Sequence, residues 1–202
     1  SRCIWVAGYV VRDPSRVASN WRSQRSLDDD LREQGVVGIS DVDTRALTRH
    51  LRERGAMRVG VFSGPLATRP VDELLERVLA SPQMLGASLA DEVSADDEYV
   101  VPAVGEKRYT VAAVDLGIKG ATPRHMAERG IEVHVLPSST TPERMLEVGV
   151  DGVFFSNGPG DPATADHAVA LVQAALQARR PLFGICFGNQ VLGRALGFGT
   201  YK

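Results

Sequence analysis

The second half of the chain alternates short apolar runs with stretches whose apolar residues recur at helical spacing. The runs predict β-strands of a buried sheet, and the stretches predict helices bounded by threonine, proline or glycine. The predicted strands lie at 111–114, 131–136, 153–155 and 182–185, and the predicted helices at 121–128, from 141, at 165–178 and after 186. This alternation predicts a parallel sheet with helices on both faces, and ligands that bind beyond the carboxyl ends of the strands.

The first half also mixes strand and helix patterns, but it contains no nucleophile motif, metal cluster or phosphate loop. Its predicted strands lie at 3–11, 36–39 and 57–62, and its predicted helices at 27–34, 41–54 and 71–79. The helix from Asp41 has acidic residues at its start and basic residues in its last turns, which suit the helix dipole. Its basic residues therefore indicate a solvated face, and this half is predicted to be α+β.

The residues between the two halves predict a linker. From Asp91 to Arg108 the chain is acidic, then contains Pro102 and Gly105, and shows no helical period. We therefore predict an amino-terminal domain at residues 1–95, a linker at 96–108 and a second domain at 109–202. Because the chain begins without Met in a strand-like run and stops just after a helix, we expect a piece of a longer protein.

Composition narrows the choice of partners. The 202 residues are 44% hydrophobic and 24% charged, as in an ordinary globular protein. A net charge of -2 and a pI near 6.1 provide no basic field for nucleic acid or an anionic membrane. The apolar runs are far shorter than the roughly 20 residues of a membrane helix. Two cysteines, Cys3 and Cys186, form no disulfide framework and suit a reducing, cytoplasmic compartment.

The chemistry of the chain centres on Cys186, at a predicted turn from strand to helix. Gly184 and Gly188 lie two residues before and two after it, and a nucleophile elbow needs such small neighbours because its backbone is strained. The first N–H groups of the following helix point at the same place, where they stabilise a thiolate or an oxyanion. The simpler interpretation is that Cys186 is a small buried hydrophobe; the glycine pattern favours a nucleophile.

The preceding strand ends in a loop, Ser156 to Pro162, that is too rich in glycine and proline to form a helix or strand. Its glycines let the backbone approach a substrate and turn N–H groups toward it. On its own the loop would indicate only a tight turn. Beside the cysteine elbow on the next strand, it indicates a second wall of an active site. A tyrosine phosphatase needs an arginine six residues after the cysteine, where this chain has Leu192, so that class is excluded.

The pattern Gly-x-Cys-x-Gly-x-Gln resembles the nucleophile motif of class I glutamine amidotransferases. With Ser-Asn-Gly-Pro-Gly-Asp-Pro and the turn Asp115-x-Gly-x-Lys119, it resembles the family of small, glutamine-hydrolysing subunits of carbamoyl phosphate synthetases. The segment from Asp41 to Gly55 resembles the amino-terminal domain of that family, and the resemblance covers essentially the whole chain. It implies an α/β fold, with an amino-terminal α+β small-subunit domain followed by a truncated class I amidotransferase domain with a parallel sheet.

The resemblance also implies roles for individual residues. Cys186 would be the nucleophile and Gln190 a contact to L-glutamine, while Gly158 and Gly160 would hold the substrate and form the oxyanion site with the Phe187 N–H. The family commonly has Leu and His where this chain has Phe187 and Asn189. Its catalytic His and Glu stand in a His-x-Glu stretch that we expect beyond the last residue. The four histidines of this chain do not match it: His50, His125, His134 and His167.

The activity implied by the resemblance is release of ammonia from L-glutamine through a cysteinyl thioester. The partner implied is the large subunit, which would use ATP, magnesium and bicarbonate to make carbamoyl phosphate for arginine and pyrimidine synthesis; this chain would hold no cofactor or metal. Alternatives are an amidotransferase of anthranilate or guanylate synthesis, against which the first half argues, and a non-catalytic binding or regulatory module.

Overall fold

The computed structural model describes residues 4–149 and 151–200. The chain divides into two compact units between Gln83 and Met84. Cys3, which begins the first predicted strand, lies outside the described residues. No helix in the described ranges combines the length and the apolar character that a membrane crossing requires.

From residue 4 onward, the described part of the first unit contains two short strands and three α-helices. They are β1 (Gly8–Val10), α1 (Leu27–Glu33), β2 (Val37–Ile39), α2 (Thr44–Arg54) and α3 (Val71–Ala80), with a 3-10 turn at Gly64–Thr68 before α3. Strands β1 and β2 pair in parallel. Helix α2 begins where the Asp43 carboxylate accepts the Ala46 N–H and ends at Gly55, whose φ of 84° suits glycine. The pattern of acidic start, basic end and terminal glycine thus predicted this helix correctly.

The strand predicted at 57–62 is wrong, because these residues form neither helix nor strand. Val61 and Phe62 are half-buried, while Met57 and Val59 are exposed. Gly8 lies so close to Val61 that a methyl group on it would be 3.2 Å from Val61 Cγ2, and Gly60 lies against Phe62 and Val78.

The second unit alternates strands and helices as predicted. Its elements are α4 (Ala90–Val93), β3 (Tyr99–Val101), β4 (Tyr109–Asp115), α5 (Ala121–Ala127), β5 (Ile131–Pro137), α6 (Pro142–Val148), β6 (Gly152–Phe155), α7 (Asp166–Gln177), β7 (Leu182–Gly184) and α8 (Phe187–Ala195), with a 3-10 turn at Pro162–Thr164. The strand order is β3-β5-β4-β6-β7, with β3 antiparallel and the others parallel. The predicted α/β class is confirmed.

The sheet of the second unit has an apolar core on each face. On one face, residues of β4 and β6 such as Val114 and Phe155 pack with helices α6, α7 and α8. On the other face, Ala113 and Phe154 pack with β5 and with Met126 of α5. Successive residues of a strand point to opposite faces, so neighbouring positions serve different cores. The sheet is therefore covered on both sides, and its carboxyl edge is left for ligands.

The predicted linker at 96–108 needs a correction, because it contributes a strand to this sheet. In β3, Val101 pairs with Val133 of β5, and the second compact unit already begins at Met84. The strand has three residues between acidic residues and Pro102, which is too short for an apolar pattern to reveal.

The strand predicted at 182–185 also differs from the expectation of burial on both faces. Strand β7 pairs with β6 on one side and is the last strand of the sheet within the described ranges. Phe183 is 65% exposed and Ile185 is 41% exposed. An apolar run cannot distinguish an edge strand from a central one.

Candidate active site

Cys186 stands between strand β7 and helix α8 with a strained backbone. Its φ of 53° and ψ of -107° place it in a region that residues with a side chain rarely adopt. The cysteine is solvent-exposed, in contrast to a core cysteine. The predicted nucleophile elbow is therefore present in the backbone, and it presents the thiol at the carboxyl edge of the sheet.

The glycines on either side of Cys186 are required by close backbone contacts. A methyl group on Gly184 would lie 2.6 Å from the carbonyl carbon of Gly188. A methyl group on Gly188 would overlap the carbonyl oxygen of Phe155 and lie 2.8 Å from its carbonyl carbon. Helix α8 thus begins in direct contact with strand β6, and only glycine permits that approach.

The first turn of α8 supplies backbone donors beside the thiol. The Gly188 N–H donates to the Ser156 and Ile185 carbonyl oxygens over 3.1 and 3.0 Å. The Phe187 N–H has no acceptor within the described part of the chain. A helix N-terminus carries partial positive charge, so this free donor can bind an oxyanion.

The loop after β6 is hydrogen-bonded to the turn that follows β4. Ser156 is fully buried, and its Oγ accepts the Leu116 N–H at 2.9 Å. Asn157 Nδ2 donates to the Gly117 carbonyl oxygen at 2.8 Å. Gly158 lies against Leu116 so closely that a methyl group on it would overlap the Leu116 carbonyl oxygen. These contacts fix the backbone of the loop before it reaches Gly160.

Asp161 and Arg194 hold the far end of the same loop. The Asp161 carboxylate, 4% exposed, accepts the Ala163 N–H through Oδ1 and the Gly86 N–H through Oδ2, both at 3.0 Å. Arg194 of α8 donates from Nη1 to the Pro162 carbonyl oxygen and from Nη2 to Asp166, both at 2.8 Å. Sequence reasoning assigned neither residue a role, although an Asp before Pro is a known helix-capping signal.

One cavity of about 810 Å³ brings the predicted residues together. Cys186, Phe187 and Gln190 line it from α8, and Gly158 and Gly160 line it from the loop. Met84, Leu85, Arg194 and Phe198 also contribute to its walls. All five residues predicted at the site therefore line the same cavity, while their individual roles stay predictions. Met84 and Leu85 were missed because they precede the predicted second domain.

The Asp115 turn plays a different part. Its carboxylate accepts the N–H groups of Gly117 and Ile118 through Oδ1, at 2.8 and 2.7 Å, and the N–H of Ala95 through Oδ2 at 3.0 Å. Lys119 is exposed and does not line the cavity. The turn shapes the backbone beneath Gly158 and carries no side chain into the cavity.

No histidine stands among the described residues that line the cavity. His167 is hydrogen-bonded to the Thr140 carbonyl oxygen at 2.8 Å, and His125 pairs with Glu128 at 2.8 Å. Neither of these two histidines lines the cavity that Cys186 lines.

The comparisons with known proteins match both units. A family model described as "Glutamine amidotransferase class-I" matches residues 112–202, and one described as "Carbamoyl-phosphate synthase small chain, CPSase domain" matches residues 1–61. Proteins named carbamoyl phosphate synthase small chain are similar over the whole length: 68% identical in Streptomyces avermitilis and in Streptomyces coelicolor, each over 100% of this chain and 53% of the relative. The protein of that name in Mycobacterium tuberculosis is 60% identical over 98% of this chain and 54% of the relative.

The elbow, the glycine loop and the matching model define the second unit as a class I glutamine amidotransferase domain. With the first unit included, the chain belongs to the family of carbamoyl phosphate synthase small chains. The chain spans about half the length of the curated relatives that it matches.

Proposed function

We propose that this chain carries the nucleophile and part of the substrate site of a glutaminase that supplies ammonia for carbamoyl phosphate synthesis. The observation that supports the proposal most is the position of Cys186. Its strained backbone exposes the thiol to the cavity that Gly158 and Gly160 also line. A structural cysteine has no need of a backbone conformation that costs about 1–3 kcal/mol.

The proposed chemistry proceeds in two steps. The Cys186 thiolate attacks the carboxamide carbon of L-glutamine, and the C–N bond breaks to give a thioester and ammonia. Water then attacks the thioester, which releases glutamate and restores the thiol. In both steps the oxygen of the tetrahedral intermediate carries negative charge, which the Phe187 N–H and the backbone of the glycine loop would stabilise. Gln190 would contact the substrate.

A thiol needs a base to become a thiolate, and departing ammonia needs a proton. By resemblance, that base is a histidine paired with a glutamate in a His-x-Glu stretch beyond Lys202. In this proposal the described residues around the cavity would supply the nucleophile and the oxyanion donor. No histidine is among them, and we propose that residues 1–202 alone are inactive.

The proposed partner is a large subunit that receives the ammonia. That subunit would use ATP, Mg²⁺ and bicarbonate to make carbamoyl phosphate for arginine and pyrimidine synthesis, in the cytoplasm. This chain would then need no cofactor or metal of its own. The support is the family of both units and the names of the relatives from Streptomyces and Mycobacterium, each a carbamoyl phosphate synthase small chain.

A non-catalytic binding module is the second candidate, since such a module would keep the elbow and the cavity without a base. The glutaminase and the non-catalytic module are distinguished by replacing Cys186 in the full-length small chain assembled with its large subunit. We expect Cys186→Ser to abolish glutamine-dependent carbamoyl phosphate synthesis and to leave synthesis from added ammonia unchanged. Cys3→Ser, at the other cysteine, is the matched control and should leave both rates unchanged. If Cys186→Ser keeps the glutamine-dependent rate, the glutaminase proposal is wrong.

A further inference from the structure

The segment from Met84 to Leu89 lies against the glycine loop, and the residues in contact are more than 70 positions apart in the sequence. The Gly86 N–H donates to Asp161 Oδ2 at 3.0 Å, and the Asp161 N–H donates back to the Ala87 carbonyl oxygen at 3.0 Å. A methyl group on Gly160 would lie 2.9 Å from that same carbonyl oxygen and 3.1 Å from the Leu89 nitrogen. The segment thus touches the loop at two consecutive residues, 160 and 161.

The same segment forms part of the cavity wall. Met84 and Leu85 line the cavity, and their side chains are 43% and 70% exposed. Neither side chain belongs to the two apolar cores of the unit. In the cavity they can pack against the aliphatic part of a ligand, since burial of apolar surface is favourable. The matching amidotransferase model begins only at residue 112, so it does not include this wall.

We propose that residues 84–89 are a positioning element of the glutamine cavity, held by Asp161, and that Leu85 is a wall for the substrate. We refer to these residues as the clasp. Asp161 is a positioning residue, because its bonds to Gly86, Ala87 and Ala163 set the path of the backbone through Gly160. The clasp rests on the proposed glutaminase function and adds to it a part of the site that lies outside the amidotransferase motifs.

The chemical reason for such an element is the sensitivity of catalysis to small displacements. A misplacement of about 1 Å in a group that positions the substrate can lower the rate about 100-fold. Gly160 has a φ of 100°, which glycine adopts without strain, so the contacts of residues 160 and 161 with the clasp fix the path of the loop. With one of its bonds to the clasp removed, the loop would shift while the two cores of the unit stay packed.

The first test replaces Asp161 by Asn in the full-length small chain assembled with its large subunit. An amide side chain has one acceptor oxygen and an NH2 group in place of the other, so one of the bonds from Gly86 and Ala163 is lost. Asp151→Asn is the matched control, because Asp151 Oδ2 accepts the Thr110 N–H at 2.7 Å at the opposite edge of the sheet. Glutamine kcat and KM are measured together with hydrogen exchange in peptides covering 84–89 and 158–163.

We expect Asp161→Asn to lower kcat/KM for glutamine about 100-fold, mainly through kcat, and to speed exchange in both peptides. Asp151→Asn should change neither, at a temperature well below unfolding of both variants. Faster exchange with kcat/KM within threefold of the parent would overturn the positioning role. Unchanged exchange would overturn the clasp itself. If the parent shows no glutamine hydrolysis dependent on Cys186, the proposed function fails, and the exchange measurement alone decides whether Asp161 holds the clasp.

The second test does not depend on a buried residue. Leu85→Ala removes an exposed side chain from the cavity wall, and Leu196→Ala removes one that is 58% exposed and lies outside the cavity. We expect Leu85→Ala to raise KM for glutamine several-fold with kcat within twofold of the parent, and Leu196→Ala to change neither. Equal KM values for the two variants would rule out Leu85 as a wall for the substrate.

Discussion

The Gly188 N–H donates to the Ser156 carbonyl oxygen over 3.1 Å, and this bond joins the nucleophile helix to the loop on the neighbouring strand. Ser156 is fully buried, so the bond forms away from solvent. This bond sets the spacing between Cys186 and the glycine loop, because Gly188 is two residues from Cys186 and Ser156 is the first residue of the loop.

Gly188→Ala should destabilise the second unit. The added methyl group would overlap the Phe155 carbonyl oxygen, and forced repacking of this kind costs about 1–3 kcal/mol in unfolding free energy. Gly193→Ala is the matched control on the same helix, because nothing lies within 4 Å of a methyl group there. An alanine inside a helix is favoured over glycine by up to about 1 kcal/mol, so Gly193→Ala should be neutral or stabilising. Urea unfolding measures both; equal midpoints would contradict the contact with Phe155.

Gly160→Val should lower glutamine turnover by roughly 100- to 1,000-fold, the usual cost of losing one oxyanion donor. The side chain would crowd Ala87 and Leu89 and tilt the loop. Part of its effect would be plain backbone strain, because the φ of Gly160 is 100°. Gly197→Val separates the two causes, since Gly197 has a φ of 89°, open space around it and no place in the cavity.

The measurement for this pair is the rate of ammonia release from glutamine by the assembled full-length protein, with folding checked by circular dichroism. Gly197→Val should keep the parent rate within about threefold. If Gly160→Val also did so, the loop would have no part in catalysis. If both variants lost activity equally, strain alone would explain the loss.

The ion pair between Glu98 and Arg144 should make stability depend on pH. Arg144 bonds Glu98 through Nη2 at 2.5 Å and Nε at 3.0 Å, and this hydrogen bonding lowers the pKa of Glu98 below its usual value of 4.5. A lowered folded pKa means that the stabilisation is present above pH 4.5 and is lost as the pH falls through the folded value. Glu98→Gln should therefore cost at most about 1 kcal/mol near neutral pH and almost nothing in acid.

The control is Glu147→Gln, because Glu147 also pairs with Arg144, at 2.9 Å, but from the same helix and with a side chain that is 70% exposed. Glu147→Gln should lower the stability less than Glu98→Gln, because the pair with Glu98 connects α6 to the start of β3. Thermal unfolding of both variants between pH 3 and 7 measures the difference. A deficit of Glu98→Gln that stays constant over this range would exclude the ion pair as its cause.

Residues 1–202 alone should hydrolyse glutamine no faster than their own Cys186→Ser variant. A proton-transfer group contributes about 100- to 10,000-fold, and no histidine stands among the described residues of the cavity wall. Exposed apolar side chains on the last strand and after α8, such as Phe183 and Phe198, should also make this piece poorly soluble. Ammonia release by the purified piece is the measurement. A rate tenfold above the variant would reveal a base within these residues.

The features that sequence reasoning predicted best are those set by neighbours in the chain. Gly184 and Gly188 must be small because they touch each other or the adjacent strand at the turn around Cys186, and a pattern of five residues records this. The alternation of strands and helices in the second unit follows from apolar periodicity, which is also local. The meeting of the five predicted residues at one cavity then follows from the parallel sheet, because the carboxyl ends of its strands share an edge.

The features that escaped prediction depend on distant contacts. Strand β3 is three residues long and becomes visible only through its pairing with β5. Asp161 and Gly86 are hydrogen-bonded although 75 positions separate them, and no sequence pattern links the two residues. Phe183 has the character of a core residue, but its exposure depends on which strands stand beside β7. Local patterns carry no information on such neighbours.

The positive φ of Cys186 has a consequence for the history of the family. Glycine is the residue that adopts such a backbone without strain, so the cysteine at this position carries a strain that glycine would relieve. A lineage whose members no longer need the thiol would gain stability by replacing it with glycine, and the rest of the elbow could stay as it is. A glycine at the position of Cys186 would therefore mark a descendant that has kept the architecture and given up the chemistry.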